Sequence, residues 1–205
     1  MQEPGRREQP RGAARRQQLV DAALDLVAES GTDFSWSELA RRCEITDAGV
    51  RHHFASRRDL LLAVFAEIRR RDTHLLEGFL AGGFTQLLVR LPELAPHDEE
   101  RRGLVRLQAV LLAESLADGP GPTSDARPFV LARFRAYRAR LSRSLLDSGL
   151  VADAAEADEC AASFVAHLDG LQTQWLLDPD AVPLGPGLVR LASVWSAALS
   201  IGRAP

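Results

Sequence analysis

The hydrophobic positions of the chain follow a helical pattern from residue 15 onward. Apolar side chains recur three, four and seven residues apart, as on one face of an α-helix, and no segment shows sustained alternation with a period of two. Proline and glycine interrupt the pattern between successive runs. We therefore predict an all-α protein of about nine helices without an internal repeat, at residues 15–31, 36–43, 47–54, 56–82, 84–91, 98–117, 128–148, 154–177 and 186–199.

Polar residues mark three helix starts within the first 60 residues. Ser35 and Ser56 each precede an acidic residue by three positions, as in a capping box, where the hydroxyl accepts from the backbone N–H three residues later. Thr46 is a favourable N-cap between them. These signals predict two short helices followed by a long one.

Two short helices joined by a tight turn, behind a longer helix, form a helix-turn-helix, whose second short helix enters the major groove of DNA. Ala48 and Gly49 are small, so the backbone at the start of this helix can approach the groove. The Thr46 hydroxyl and the free N–H groups beside it can bind a phosphate oxygen. Between the apolar anchors at positions 50 and 54, three side chains are predicted to point outward: Arg51, His52 and His53.

Residues 34–60 resemble the DNA-binding signature of the tetracycline-repressor (TetR) family. The caps, the Leu39-Ala40 pair, the two apolar anchors and the Ser56-Arg57 start of the long helix keep the family register. The resemblance implies a DNA-binding domain at residues 15–60 and a ligand-binding and dimerisation domain at residues 61–205. It implies contacts to DNA phosphates or bases from Ser35, Trp36, Thr46, Asp47, Ala48, Gly49, Arg51, His52, His53 and Arg57.

Three positions depart from the family pattern. Asp47 stands where the family often has lysine, and it would either accept from a cytosine amine or remain solvated and weaken DNA binding. Glu44 replaces a common turn glycine, and Arg51 replaces a common tyrosine. These departures concern the individual contacts and leave the prediction of the helix-turn-helix unchanged.

The charge of the chain is divided unevenly. All 25 basic residues are arginine, against 28 acidic ones, for a net charge of −3. The first 71 residues are mildly basic and the rest are acidic, as expected if only the N-terminal part of the chain binds nucleic acid. Residues 1–14 lack periodicity, so we predict a disordered arm whose Arg6, Arg7 and Arg11 add electrostatic affinity for DNA.

Composition also restricts the class of protein. No apolar stretch is long enough for a membrane span, and no secretory signal is visible, so we expect a cytoplasmic protein without membrane contact. Cys43 and Cys160 fit buried thiols, and no Cys/His cluster has metal-ligand spacing. No catalytic motif is present, so we expect neither an enzyme nor a cofactor.

The helices from residue 84 to 177 are predicted to enclose a pocket for a small-molecule effector. Such a pocket has mostly apolar walls with a few polar groups that orient the ligand. Each candidate could instead belong to the core. The candidate wall residues are Phe84, Leu107, Gln108, Leu111, Phe134, Tyr137 and His167.

Residues 167–179 are similar to the next-to-last helix of TetR-family members with a BetI-type C-terminal domain. The resemblance implies that the last two helices pair across a two-fold axis in a homodimer. Their apolar stripes, each with a tryptophan, fit such an interface, although an intrachain core would have the same helical period. The predicted interface residues are Phe164, Leu168, Leu171, Trp175, Leu188, Leu191, Trp195 and Leu199.

These observations together predict a ligand-responsive transcriptional regulator. We expect a repressor that binds a palindromic DNA operator and is released by a small molecule. Two alternatives remain: an activator of the same fold, and a helical interaction protein whose helix-turn-helix has lost specific DNA binding.

Overall fold

The computed structural model describes residues 10–116 and 126–201, and this part of the chain contains helices and no strand. The all-α prediction is confirmed. Short 3₁₀ turns at Gly31–Asp33, Leu80–Gly82 and Leu91–Glu93 connect some of the helices. The helices are α1 (Pro10–Ser30), α2 (Trp36–Arg42), α3 (Asp47–His53), α4 (Arg57–Phe79), α5 (Gly83–Arg90), α6 (Leu94–Glu100), α7 (Arg102–Leu116), α8 (Arg127–Asp147), α9 (Ala154–Leu177) and α10 (Leu184–Ile201).

Helix α1 begins before the predicted position. Residues 10–14 are helical, so this part of the predicted disordered arm is corrected. Proline is tolerated in the first helical turn, where its missing N–H would have no partner, and Ala13 and Ala14 favour the helix. Arg6 and Arg7 lie outside the described residues.

The helix predicted at residues 98–117 is instead two helices, α6 and α7, which meet at Arg101. The bend brings α7 against the end of α1. A Cβ added at Gly103 would lie 1.8 Å from the carbonyl oxygen of Val27, so only glycine permits this approach. The break therefore depends on a contact between distant segments, which local periodicity does not record.

The interior consists of two hydrophobic clusters. The first joins α1, α2, α3 and the start of α4 with Leu104, Leu107 and Leu111 of α7. The second fills the remainder and contains Phe84, Phe164 and Trp195, whose rings pack edge to face. We call α1 to α3 the head and α5 to α10 the body. Helix α4 belongs to both clusters and connects the two parts.

Four of the eight predicted interface residues are buried within the chain's own core, which corrects their assignment. The indole of Trp195 packs on Phe84 and Phe164, and the Arg102 guanidinium lies over the ring of Trp175. A partner helix and a core helix have the same period, so the sequence did not separate them. The four are Phe164, Trp175, Leu188 and Trp195, while Leu168, Leu171, Leu191 and Leu199 are partly buried against the same core.

Candidate nucleic-acid interface and buried cavity

The three predicted N-caps are present. The hydroxyl of Ser35 accepts from the Glu38 N–H at 3.0 Å, that of Thr46 from Gly49 at 3.1 Å, and that of Ser56 from Asp59 at 3.0 Å. Each bond satisfies an N–H that the first helical turn leaves free. The caps therefore define where α2, α3 and α4 begin.

The turn between α2 and α3 contains a strained residue. Glu44 has a φ of 53°, in the left-handed region that glycine adopts most readily, and it is the one described non-glycine residue with positive φ. The Ile45 N–H donates to the Ala40 carbonyl at 3.0 Å and closes the turn. The tight turn of a helix-turn-helix is thus kept without the glycine that favours it.

One face of α3 is open to solvent. Ala48, Arg51 and His52 are exposed, whereas Val50 is fully buried and anchors the helix to the head core. His53 is half-buried, and burial lowers its pKa, helped by His52, Arg15 and Arg16 nearby. A neutral His53 thus lies beside an exposed face that carries one arginine and one histidine.

Two predicted contact residues of α3 have partners inside the motif. The Ser37 hydroxyl donates to a carboxylate oxygen of Asp47 at 2.8 Å, which joins α2 to α3. A Cβ added at Gly49 would lie 3.4 Å from Cδ1 of Ile45, so this glycine faces the turn and not the open side. Asp47 is therefore not simply solvated, which was one of the two alternatives that the sequence left open.

Two arginines of the predicted interface lie over aromatic rings. The Arg51 guanidinium is 5.3 Å from the ring centre of the half-buried Trp36, and that of Arg57 is 4.6 Å from the ring centre of Phe34. Arg57 also donates to the carbonyl of Thr32. Both guanidinium groups are thereby held in place, Arg51 on the exposed face and Arg57 at the start of α4.

A cavity of about 90 Å³ lies in the body between α4, α6, α7, α8 and α9. Gln108 and Tyr137, both predicted to line a pocket, lie in its wall. This volume is several times the ~10–15 Å³ that one water requires. The cavity is therefore large enough for a small organic molecule.

The other predicted wall residues lie elsewhere. Leu107 and Leu111 belong to the head core, because the bend at residue 101 turns them toward α1. Phe84 packs on Phe164 and Trp195, and Phe134 lines a smaller neighbouring cavity. His167 is exposed and its Nδ1 accepts from the Trp195 indole N–H at 3.3 Å.

Charged residues of the cavity wall were absent from the predicted set. Arg133 donates to both oxygens of Asp169 at 3.0 and 3.3 Å, and Gln172 donates to Asp98 at 2.6 Å. Burial by itself would lower the pKa of Arg133, but Asp169, Tyr137 and Asp72 raise it above its ordinary value. These residues interrupt apolar stripes of α8 and α9, and that interruption is the signal that could have identified them.

Asp72 has no ion pair within 4.0 Å among the described residues, whereas Asp169 pairs with Arg133. Its Oδ2 accepts from the Gln108 amide at 3.1 Å and from the Tyr137 hydroxyl at 3.2 Å. Burial raises its pKa, opposed by the more distant Arg133 and Arg101. Burial and the Asp72 charge also raise the pKa of Tyr137, which therefore remains a neutral donor.

Ion pairs join α4 to the helices around it. Glu67 accepts from both Arg70 and Arg71, and the hydrogen bond from Arg70 is the main reason why its pKa falls to about 2. Arg71 also forms an ion pair with Asp21 of α1 at 2.6 Å. Nearer the head, Arg58 pairs with Glu114 of α7 at 2.9 Å. The first four turns of α4 are thus tied to α1 and α7.

Residues 10–116 and 126–201 contain neither a cluster of metal-ligating side chains nor a candidate membrane span. No three His, Cys, Asp or Glu side chains there are grouped as metal ligands would be. Nor does any described helix combine the length and apolarity needed to cross a bilayer.

Comparison with known proteins agrees with this architecture. Residues 19–64 match the sequence model described as bacterial regulatory proteins, tetR family. No curated protein matches the chain. The BetI-type resemblance of the C-terminal helices stays a prediction.

Solved structures share the fold over nearly the whole chain. A TetR-family transcriptional regulator from Agrobacterium tumefaciens is 18% identical, with a TM-score of 0.67 over 89% of this chain and 98% of its own. A transcriptional regulator from Rhodococcus sp. Rha1 is 24% identical, with a TM-score of 0.67 over 93% and 99%. A protein assigned as a transcriptional regulator from Saccharomonospora viridis, in complex with choline, is 22% identical, with a TM-score of 0.64 over 90% and 96%. The head thus carries the sequence signature of the tetR family at residues 19–64, and the chain shares its fold with these transcriptional regulators.

Proposed function

We propose that the protein is a repressor that binds a palindromic operator through α3 and is released when a small molecule enters the cavity. The observation that carries the proposal is the path of α4. This helix begins beside the recognition helix at Arg57 and carries Asp72 in the cavity wall. A ligand that moves Asp72 therefore acts on the helix that connects the body to the DNA-binding head.

On the DNA side, the exposed face of α3 meets the major groove. Arg51 and His52 contact bases or phosphates there, and Ala48 allows close approach. Asp47 serves as a brace between α2 and α3 through its bond from Ser37. The predicted phosphate contacts flank this face at Ser35, Trp36, Thr46 and Arg57.

On the ligand side, two polar links join α4 to α7. Gln108 bonds Asp72 at the cavity, and Glu114 pairs with Arg58 two helical turns closer to the head. A ligand that replaces Gln108 at Asp72 changes the packing of α7 against α4, and the head rests on α7. A regulator of the same fold has been solved with choline, which supports a small-molecule effector.

We also propose that the protein acts as a two-fold homodimer through the outer faces of α9 and α10. Leu177 is 82% exposed, and Val189 and Val194 are about half exposed on these helices. A two-fold pair makes such a face self-complementary and presents two recognition helices about 34–36 Å apart, one helical turn of DNA. The partly buried Leu168, Leu171, Leu191 and Leu199 border this face in the proposal.

The proposal is tested by selecting genomic DNA fragments that the purified full-length protein retains, and by measuring affinity for the enriched site at two salt concentrations. Arg51→Ala should weaken binding roughly 5- to 150-fold, because a base or phosphate contact is worth ~1–3 kcal/mol. Arg143→Ala, on the exposed side of α8, is the control and should bind normally. No enriched fragment, or equal affinity of the Arg51 variant, would contradict DNA recognition by α3.

The position of the enriched site also distinguishes repression from activation. A site that overlaps a promoter supports the repressor, whereas a site upstream of it favours an activator of the same fold. If no DNA is enriched, the head serves protein contacts instead.

A further inference from the structure

We propose that the ligand of the cavity is a small organic cation, a protonated amine on an apolar body, and that its N–H groups bind Asp72. The inference rests on the proposed role of the cavity as the effector site. Its starting point is the isolation of Asp72, which has two neutral hydrogen-bond donors, both on Oδ2, and no ion pair within 4.0 Å among the described residues. A half-buried carboxylate in this state is stabilised by a cation that reaches it.

The charges of the cavity wall leave one negative charge uncompensated. Three carboxylates, Asp72, Asp98 and Asp169, face two guanidinium groups, those of Arg101 and Arg133. The remaining titratable base of the wall is His97.

The hydrogen bonds of His97 indicate which of its ring nitrogens carries the proton. Arg101 can only donate, so the Nε2 of His97, 2.8 Å from the Arg101 Nη1, must accept. The ring therefore carries its proton on Nδ1, which donates to Asp98 at 3.2 Å. His97 is neutral in this arrangement, and the wall keeps its net negative charge.

An anionic ligand does not find a matching partner in the same wall. Both terminal nitrogens of Arg133 donate to Asp169. Two further guanidinium nitrogens, Nε of Arg133 and Nη2 of Arg101, are shielded from solvent by protein atoms. The accessible polar groups therefore favour positive charge.

The rest of the wall defines the apolar part of the ligand. Leucine and aromatic side chains line most of the cavity, among them Leu75, Leu94, Leu168 and Phe164. A cavity of about 90 Å³ excludes large molecules. A compact amine with a single ring or a short alkyl chain fits both the charge and the space.

The test measures direct binding to the full-length protein without DNA, by calorimetry. Three probes of matched size are compared: benzylamine, benzyl alcohol and benzoate, which are cationic, neutral and anionic at neutral pH. Benzylamine should bind about tenfold more tightly than benzyl alcohol, because its hydrogen bond to Asp72 is charge-assisted, and benzoate should bind least.

Asp72→Asn should remove the preference, so that benzylamine and benzyl alcohol bind within about twofold of each other. Asp158→Asn, on an exposed position of α9, is the matched control and should keep the tenfold preference. A thermal melt of each variant confirms that it is folded.

The ranking on the unmodified protein is decisive even if a variant fails to fold. Equal or tighter binding of benzyl alcohol or benzoate, or no benzylamine binding at about 10 mM, overturns the inference. Operator release by the same probes is measured separately. If benzylamine binds selectively but does not release the operator, the cation site is supported and the proposed regulation is contradicted. If a neutral or anionic probe occupies the cavity and releases the operator, the proposed regulation is supported and the cation site is contradicted.

Discussion

Two carboxylates on α4, the buried Glu67 and the half-buried Asp72, lie little more than one helical turn apart in opposite environments. Glu67 accepts from two arginines and its pKa falls to about 2, whereas Asp72 has only neutral donors and burial raises its pKa. The first belongs to the junction of α4 with α1, which also includes Arg70, Arg71 and Asp21. The second lies in the cavity wall.

The contrast distinguishes the junction around Glu67, which stabilises the fold, from the cavity wall around Asp72, which is proposed to bind the ligand. A carboxylate whose pKa is lowered by folding stabilises the native state above its ordinary pKa, and this stabilisation is lost as the pH falls through the folded value. A carboxylate whose pKa is raised has the opposite effect, because its cost grows as the pH rises from the ordinary pKa to the folded value. Asp72 thus lowers stability at neutral pH, and a cationic ligand removes that cost.

The largest effect is expected where the head meets α7. Gly103→Ala forces a methyl group against the Val27 carbonyl oxygen and should lower the free energy of unfolding by about 3 kcal/mol. Gly78→Ala is the control, since nothing lies within 4 Å of the added carbon, and it should raise stability by about 0.5–1 kcal/mol. Urea unfolding measures both. If Gly103→Ala left the free energy of unfolding unchanged, α7 would not pack closely against α1.

A smaller loss of stability is expected when the negative charge of Glu67 is removed from the junction of α4 with α1. Glu67→Gln leaves Arg70 and Arg71 without their carboxylate and should cost about 2 kcal/mol at pH 7, because Glu67 is buried while the arginines remain partly in solvent. The deficit should shrink as the pH falls from about 4.5 toward 2, where the wild-type carboxyl is itself protonated. Glu77→Gln, on the exposed side of α4, should change stability little. Unfolding curves at several pH values provide the measurement, and a deficit independent of pH would contradict the assignment.

The smallest effect is expected for Asp72→Asn, which should increase stability and not lower it. Asp72→Asn keeps an oxygen that accepts from Gln108 or Tyr137 but removes the unpaired charge, so the free energy of unfolding should rise by about 1 kcal/mol at pH 7. The gain should disappear below the ordinary Asp pKa of 3.8, where Asp72 is protonated in both states. A loss of stability at pH 7 would show that Arg133 and Arg101 already compensate Asp72, and the comparison with Glu67 would fail.

The sequence alone determined the features that depend on neighbouring residues. Ser35, Thr46 and Ser56 cap α2, α3 and α4 as predicted, because a capping bond spans only three residues. The helix-turn-helix and the inward position of Val50 followed from the same short-range information. The departure at Glu44 did not prevent the turn, since a left-handed glutamate costs only about 1–2 kcal/mol, which the surrounding packing offsets.

Tertiary structure alone decided which apolar faces meet and which charges lack partners. Trp175 and Trp195 have the period of an interface but fill the chain's own core, because periodicity identifies a buried face and not its partner. The bend at residue 101 depends on the distant carbonyl of Val27. Glu67 has Arg70 and Arg71 three and four residues later, so its ion pairs could be anticipated from the sequence. The packing of α7, α8 and α9 around Asp72, by contrast, leaves that carboxylate with neutral donors only.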